Sequence, residues 1–129
     1  KFQAFGKTLE ESFSNAAYAM LNLICNTAEV KARIKKSMRV SGKDKEALLY
    51  NFLEEILFLL DSENFILGKI KKIEIAIKDK KYELESEITG DSALSYKFFG
   101  EVKAVTYNSM FIKKDKKTKR FIIQVVVDM

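Results

Sequence analysis

The feature that most constrains this chain is a change in the spacing of its apolar residues, from helical to alternating, which happens twice along the sequence. Thr8-Leu9-Glu10-Glu11 has the form of a capping box, in which the threonine hydroxyl accepts from the backbone amide three residues on while Glu11 reaches back. A helix is predicted to follow from about Leu9 to about Leu23, because Leu9, Phe13, Ala16, Ala17, Met20 and Ile24 form one stripe at helical spacing. Val30, Ala32, Ile34, Met38 and Val40 then alternate with Lys31, Arg33, Lys35 and Arg39, the pattern of a half-buried strand with a basic outer face. Lys36 interrupts that alternation, so a bulge or a strand end is expected there. Ser41-Gly42-Lys43-Asp44 opens a second helix by the same capping logic, running to about Leu60 through Leu48, Leu49, Phe52, Leu53, Ile56 and Leu57. Its stripe widens to Phe58, Leu59 and Leu60, which predicts a central helix covered on more than one side.

The remaining segments read as strands. Lys1 to Gly6 has the character of a strand already in progress. Ile73, Ile75 and Ile77 precede Lys78-Asp79-Lys80-Lys81, after which Tyr82, Leu84 and Ile88 alternate with Glu83, Glu85 and Glu87. This predicts a β-hairpin with one apolar and one charged face, lysines pairing with glutamates across it. Thr89 to Gly100 is less regular. Val102 to Ile112 and Phe121 to Val127 are two long strands, the second apolar on both faces apart from Gln124 and so expected inside a sheet. The fold class is α+β, with two helices near 9–24 and 44–60 packed on an antiparallel-rich sheet. A length of 129 residues suits one domain, 1–129.

Composition removes whole classes of chemistry. The chain has no histidine and a single cysteine, which excludes a histidine-dependent triad, a histidine-ligated zinc and a thiolate zinc site. An internal disulfide is impossible, and a reducing, cytoplasmic setting is the natural expectation. Cys25 follows Leu23 and Ile24 and reads as a buried thiol. No apolar run approaches the roughly 18 residues of a membrane span, and no charged-then-apolar leader pattern opens the residues. There is no glycine-rich phosphate loop, no dinucleotide fingerprint and no aromatic-plus-basic strand signature of an RNA recognition sheet. The acidic trio Glu83, Glu85 and Glu87 reads as a solvated strand face. These features point to a binding or accessory role in place of autonomous catalysis.

The net charge is +5, and the excess lies in the second half: residues 65–129 hold fourteen basic and nine acidic side chains, residues 1–64 nine of each. An acidic partner or a merely solubilising surface would both suit this. Lys113, Lys114, Lys116, Lys117, Lys119 and Arg120, interrupted by Asp115, form a basic run between the last two strands. It reads as a solvated hairpin tip and as the place where a phosphate backbone could dock.

Four segments together resemble the archease family. They are Gly6-Lys7-Thr8-Leu9-Glu10-Glu11 with Ser12 and Phe13; Glu46-Ala47-Leu48-Leu49-Tyr50-Asn51-Phe52-Leu53-Glu54-Glu55; Glu101-Val102-Lys103-Ala104-Val105-Thr106-Tyr107; and Val125-Val126-Val127-Asp128-Met129. The likeness runs in order over nearly the whole chain. It implies a fold of strand-helix-strand-strand modules, one inserted in another. It implies a non-enzymatic, chaperone-like cofactor of the GTP-dependent tRNA-splicing RNA ligase, which promotes guanylylation and multiple turnover of that ligase. RNA or tRNA-modifying enzymes are further partners it implies; a membrane is not.

The resemblance also implies a metal site, calcium in the family, with Asp128 as the matching C-terminal ligand and the Met129 carbonyl beside it. The family's acidic N-terminal ligand segment is expected just before Lys1, which leaves the site incomplete within 1–129. Asn108 stands where the family has a histidine after its Thr-Tyr pair, and Tyr96 lies near the position of another. Lys103 is expected to present its charge to the ligase or its nucleotide; an ordinary strand lysine paired with Glu101 is the alternative. The competing functional readings are a basic nucleic-acid-binding module acting through Lys113–Arg120 and, more remotely, a small-molecule or metal-dependent enzyme.

Overall fold

The computed structural model describes residues 1–129. Elements run β1 (Phe2–Gly6), α1 (Leu9–Leu21), β2 (Ile34–Gly42), α2 (Lys45–Glu63), β3 (Phe65–Lys78), β4 (Lys81–Ser92), β5 (Ala104–Lys114) and β6 (Phe121–Asp128). Each helix begins where a strand ends on glycine. A Cβ on Gly6 would lie 2.4 Å from the Ser12 amide nitrogen, and one on Gly42 2.4 Å from that of Leu48, so strand and helix can meet this closely only without a side chain. Thr8 Oγ1 accepts from Glu11 N at 3.0 Å, Glu11 Oε1 accepts from Lys7 N at 3.1 Å, and Asp44 Oδ1 accepts from Ala47 N at 2.7 Å. Asn15 and Asn51 each donate back to the preceding strand, to the carbonyls of Phe5 and Ser41.

These parallels reflect two modules of one topology. The strands form two antiparallel sheets, β1-β6-β5 and β2-β4-β3. The segment β2-α2-β3-β4 is a strand-helix-strand-strand module inserted between α1 and β5 of a second such module, β1-α1-β5-β6. The fold is therefore α+β, two helices packed on antiparallel sheets, with β6 and β4 central. Phe13 of α1 and Phe52 of α2 stack at 6.0 Å between ring centres and are fully buried with Met20, Leu48, Leu49, Leu53 and Ile56. Gln124, the polar residue of β6, is satisfied by Gln3 and by the Ser109 carbonyl.

Edge strands β3 and β5 would expose unpaired backbone donors, and the helices intercept them. Tyr18 of α1 accepts from Ile70 N of β3 at 2.8 Å, and Glu54 of α2 accepts from Val105 N of β5 at 3.1 Å. Each helix thus serves the edge of the other module's sheet.

Four expectations are corrected. The β2–β4 register runs through Lys36 without a bulge. Lys36 lies on the inner face with Met38 and Val40, and its long stem carries the ammonium out to Glu63 at 2.7 Å and over the Phe65 ring. Val30 and Ala32 stand outside β2, which starts at Ile34. Phe58, expected under cover, is 53% exposed, because it stands two turns on from exposed Asn51 on the solvent-facing stripe of the helix. In the hairpin, Arg39 of β2 pairs with Glu85, while Lys72 pairs with Glu74 on its own strand. The register does set Lys72 opposite Glu87, but the ammonium turns along its own strand to Glu74, and no ion pair closes across β3 and β4.

Tyr18→Phe keeps the ring and strips the acceptor from the Ile70 amide. Urea unfolding should show a loss of about 1–3 kcal/mol, the usual consequence of leaving such a donor unsatisfied. Unchanged stability would show that the edge needs no such acceptor.

Candidate functional site

Where β6 ends and the chain enters β5, four of the residues singled out in the sequence come together. Asp128 lies opposite Ala104, and its carbonyl accepts from Lys103 N at 2.7 Å. Met129 Cε lies 3.8 Å from the place a Cβ on Gly100 would occupy. The 99–103 segment is held by the chain leaving α1: Phe99 N donates to Ile24 O at 2.9 Å, and Gly100 packs against the Leu23 carbonyl too closely for a side chain. Buried Val102 anchors the segment and leaves Glu101 and Lys103 exposed on either side. Strand β5 begins at Ala104, two residues later than expected, and no ion pair joins Lys103 to Glu101. Lys103 has no ion-pair partner, and it is exposed at the surface.

The donors around Asp128 do not form a calcium set. Nowhere in the chain do three or more Asp, Glu or Cys side chains gather as metal ligands would, whereas calcium takes about six to eight oxygens. Asp128 is exposed at the strand end, and with backbone carbonyls alone it falls short.

A second cluster escaped the sequence reading. Asp91, 5% exposed, accepts from Tyr96 Oη at 2.7 Å and from Ser92 N at 2.8 Å, with Arg33 Nε at 3.6 Å. Tyr96 Oη in turn accepts from Lys31 N at 2.9 Å. The tyrosine hydrogen bond, opposed by burial and helped by the Ser92 amide and the Arg33 charge, holds the Asp91 carboxyl below the usual aspartate range. The phenol of Tyr96 is raised: the Lys31 amide favours its ionised form, but burial and the neighbouring Asp91 together outweigh it. This cluster ties the chain after α1 to the end of β4. No sequence signal marks it, since Thr89-Gly90-Asp91 is seen to be buried only in the folded chain. Cys25 is buried nearby in sequence, and burial, with Glu29, pushes its thiol up, which disfavours the nucleophilic thiolate.

The model of the Archease protein family matches residues 1–129. The chain belongs to the archease family. It is 34% identical over 131 residues to the protein archease of Methanosarcina mazei, covering 100% of this chain and 88% of that protein. It is 36% identical over 129 residues to the protein archease of Pyrococcus furiosus, covering 98% and 89%. The solution structure of protein 1598 from Methanobacterium thermoautotrophicum superposes with a TM-score of 0.82 at 31% identity, covering 98% of this chain and 89% of that one.

In this archease-family chain the basic run lies at the other end of the outer sheet. β6 spans Phe121 to Asp128, so the tip of the β5–β6 hairpin stands roughly 23 Å from Asp128 at an ordinary strand rise. Lys113 and Lys114 belong to β5, their ammonium groups 4.4 Å and 5.5 Å from the ring centres of Phe111 and Phe121. Lys116, Lys117, Lys119 and Arg120 are exposed around the turn. Asp115 is spent on the turn itself: the Lys117 amide, then the Thr118 side chain, hold its carboxyl below the usual range. The structure does not bring this run together with Lys103 and Asp128. No helix of the chain is long and apolar enough to cross a membrane.

A folded-state value depressed below about 3.9 means that Asp91 stabilises the fold above the unfolded value and loses that contribution as pH falls through the folded one. Asp91→Asn should therefore lower the melting temperature at pH 7, and the gap from the parent should shrink as pH is taken below about 4. A gap independent of pH would assign the effect to packing.

Proposed function

We propose that this chain, acting as one domain over residues 1–129 in the cytoplasm, is a non-enzymatic activator of the GTP-dependent tRNA-splicing RNA ligase, promoting its guanylylation and multiple turnover. Membership of the archease family over the full chain carries the reading. The exposed end at Glu101, Lys103 and Asp128 supports it: a free lysine is held rigidly by backbone bonds to β6 and to the chain after α1. Lys103 is the charge offered to the ligase or its nucleotide, with Glu101 beside it. Asp128 and the Met129 carbonyl are part of a calcium site whose other ligands come from residues upstream of Lys1. The strand register favours this. Phe2 pairs with Val125, so continuing β1 antiparallel to β6 would carry upstream residues past Val127 and Asp128.

A second reading, a nucleic-acid-binding module acting through Lys113–Arg120, is supported by the cationic tip over two aromatic rings. A gel shift with this chain alone, steeply weakened by salt, would favour it.

Lys103→Ala should reduce ligation turnover in a reconstituted assay with the ligase while leaving the melting temperature unchanged; parallel loss of both would mark the lysine as structural. Calcium titration calorimetry should detect binding to a chain extended upstream with an acidic segment, weaker or none to residues 1–129, and none after Asp128→Ala in the extended chain. Equal affinity in the long and short chains would place the ligands elsewhere.

A further inference from the structure

Beside the candidate site, a groove of about 630 Å³ opens between the end of α2 and the 93–102 segment, with Ile24, Leu60, Leu94 and Phe98 among its apolar walls. The apolar surface here is unusually bare: Leu94 is 83% exposed, Phe99 71% and Met129 56%. Large apolar side chains gathered at a surface mark an interaction site more often than an inert one. The groove also shares Gly100 and Glu101 with the end of the molecule where Lys103 and Asp128 meet.

Charge says what kind of partner fits. The chain carries a net +5, yet the charged residues lining the groove are Asp61 and Glu101, and Lys97, next to Phe98 in sequence, does not line it. Neither acid takes part in any of the chain's ion pairs. Asp61 lies in the last turn of α2, a turn without a basic residue. The free carbonyls at a helix C-terminus already carry partial negative charge, so a carboxylate there is unfavourable until a cation arrives. An RNA backbone or an anionic lipid surface would find no cation lining the groove, whereas an ammonium or guanidinium would find two unpaired carboxylates.

We propose that this groove docks a segment of the RNA ligase that presents an apolar side chain flanked by lysine or arginine. The proposal rests on the ligase reading above. The apolar anchor fills the space between Leu60, Leu94 and Phe98 and supplies most of the affinity, and the flanking cation meets Asp61 and Glu101, fixing direction and speeding encounter. Docking here sets the Lys103 end against the same partner.

The test is binding of the purified ligase to the parent chain and to Leu94→Ser, Asp61→Lys and a distant control, Ile77→Ser, with thermal melting of each. Leu94, Asp61 and Ile77 are all exposed, so the folds should survive. Leu94→Ser and Asp61→Lys should each weaken binding about tenfold or more, with Ile77→Ser at the parent value. The salt dependence of binding should flatten in Asp61→Lys. Parent-like affinity in both groove variants, alongside lost activation in Lys103→Ala, would overturn the groove and leave the ligase reading standing. Failure of the parent itself to bind the ligase would overturn both. Self-association in sedimentation, abolished by Leu94→Ser without any change in ligase affinity, would make a second copy the occupant and overturn the proposal as well.

Discussion

The hydrogen bonds from Ile70 N to Tyr18 and from Val105 N to Glu54 are the contacts on which the rest of this architecture depends. A three-stranded sheet has two edges, and an edge strand is a template for pairing with whatever passes. Here two small sheets each lend a helix to close an edge of the other. The exchange means that neither module is complete alone: α1 packs on its own sheet and reaches β3, and α2 lies against β5 as well as β2. It also explains why Phe13 and Phe52, both fully buried, sit where the helices meet. The Val105 bond lies two residues from Lys103, so α2 helps to fix the start of β5 beside the candidate site.

Much of this was legible because local chemistry and tertiary demand agree. The capping patterns mark both helix starts, and the apolar character of Phe121 to Val127 marks a central strand, as the β1-β6-β5 order shows. The nesting of two modules was expected from the resemblance, and the residues themselves also carry a trace of it. Gly6-Lys7-Thr8 and Gly42-Lys43-Asp44, Asn15 and Asn51, Tyr18 and Glu54 recur at one constant offset and make equivalent contacts. Five such correspondences scattered among unlike residues carry little weight until the contacts they share are known. Lys36 and Phe58 were misjudged for one reason: polarity of the residue type stood in for the position of its side chain. A lysine on an inner face can still bring its charge to water, and a phenylalanine on a helix can still face it.

The site was legible only through resemblance. Periodicity places Lys103 on a strand beside Glu101, and nothing in the spacing says that the strand starts one residue later or that Val102 alone is buried. Asp91 and Tyr96 show the opposite case. Their importance lies in three segments meeting, at Lys31, at Asp91 and at Tyr96, and no single segment announces it. The groove beside Leu94 is of the same kind, since its walls come from the chain after α1, from the end of α2 and from the link into β5.

Nesting one module inside the other has a kinetic consequence. The inner module closes its sheet through neighbours in sequence: β3 and β4 meet across the tight turn at Asp79 and Lys80, both of which have positive φ. The outer sheet must instead join Phe2 to Val125, nearly the two ends of the chain. Loop-closure entropy rises with the length enclosed, and distant pairings slow the search for the native state. With β2 to β4 already condensed, the two arms of the outer module emerge from a small folded body and not from a long free coil, which shortens the effective loop β1 must close to reach β6. Refolding should therefore be ordered, inner sheet before outer. The end that carries Lys103 and Asp128 belongs to the β5–β6 hairpin, which sets Asp128 against Ala104 without any help from β1, so the late step is the docking of β1 on a β6 already paired.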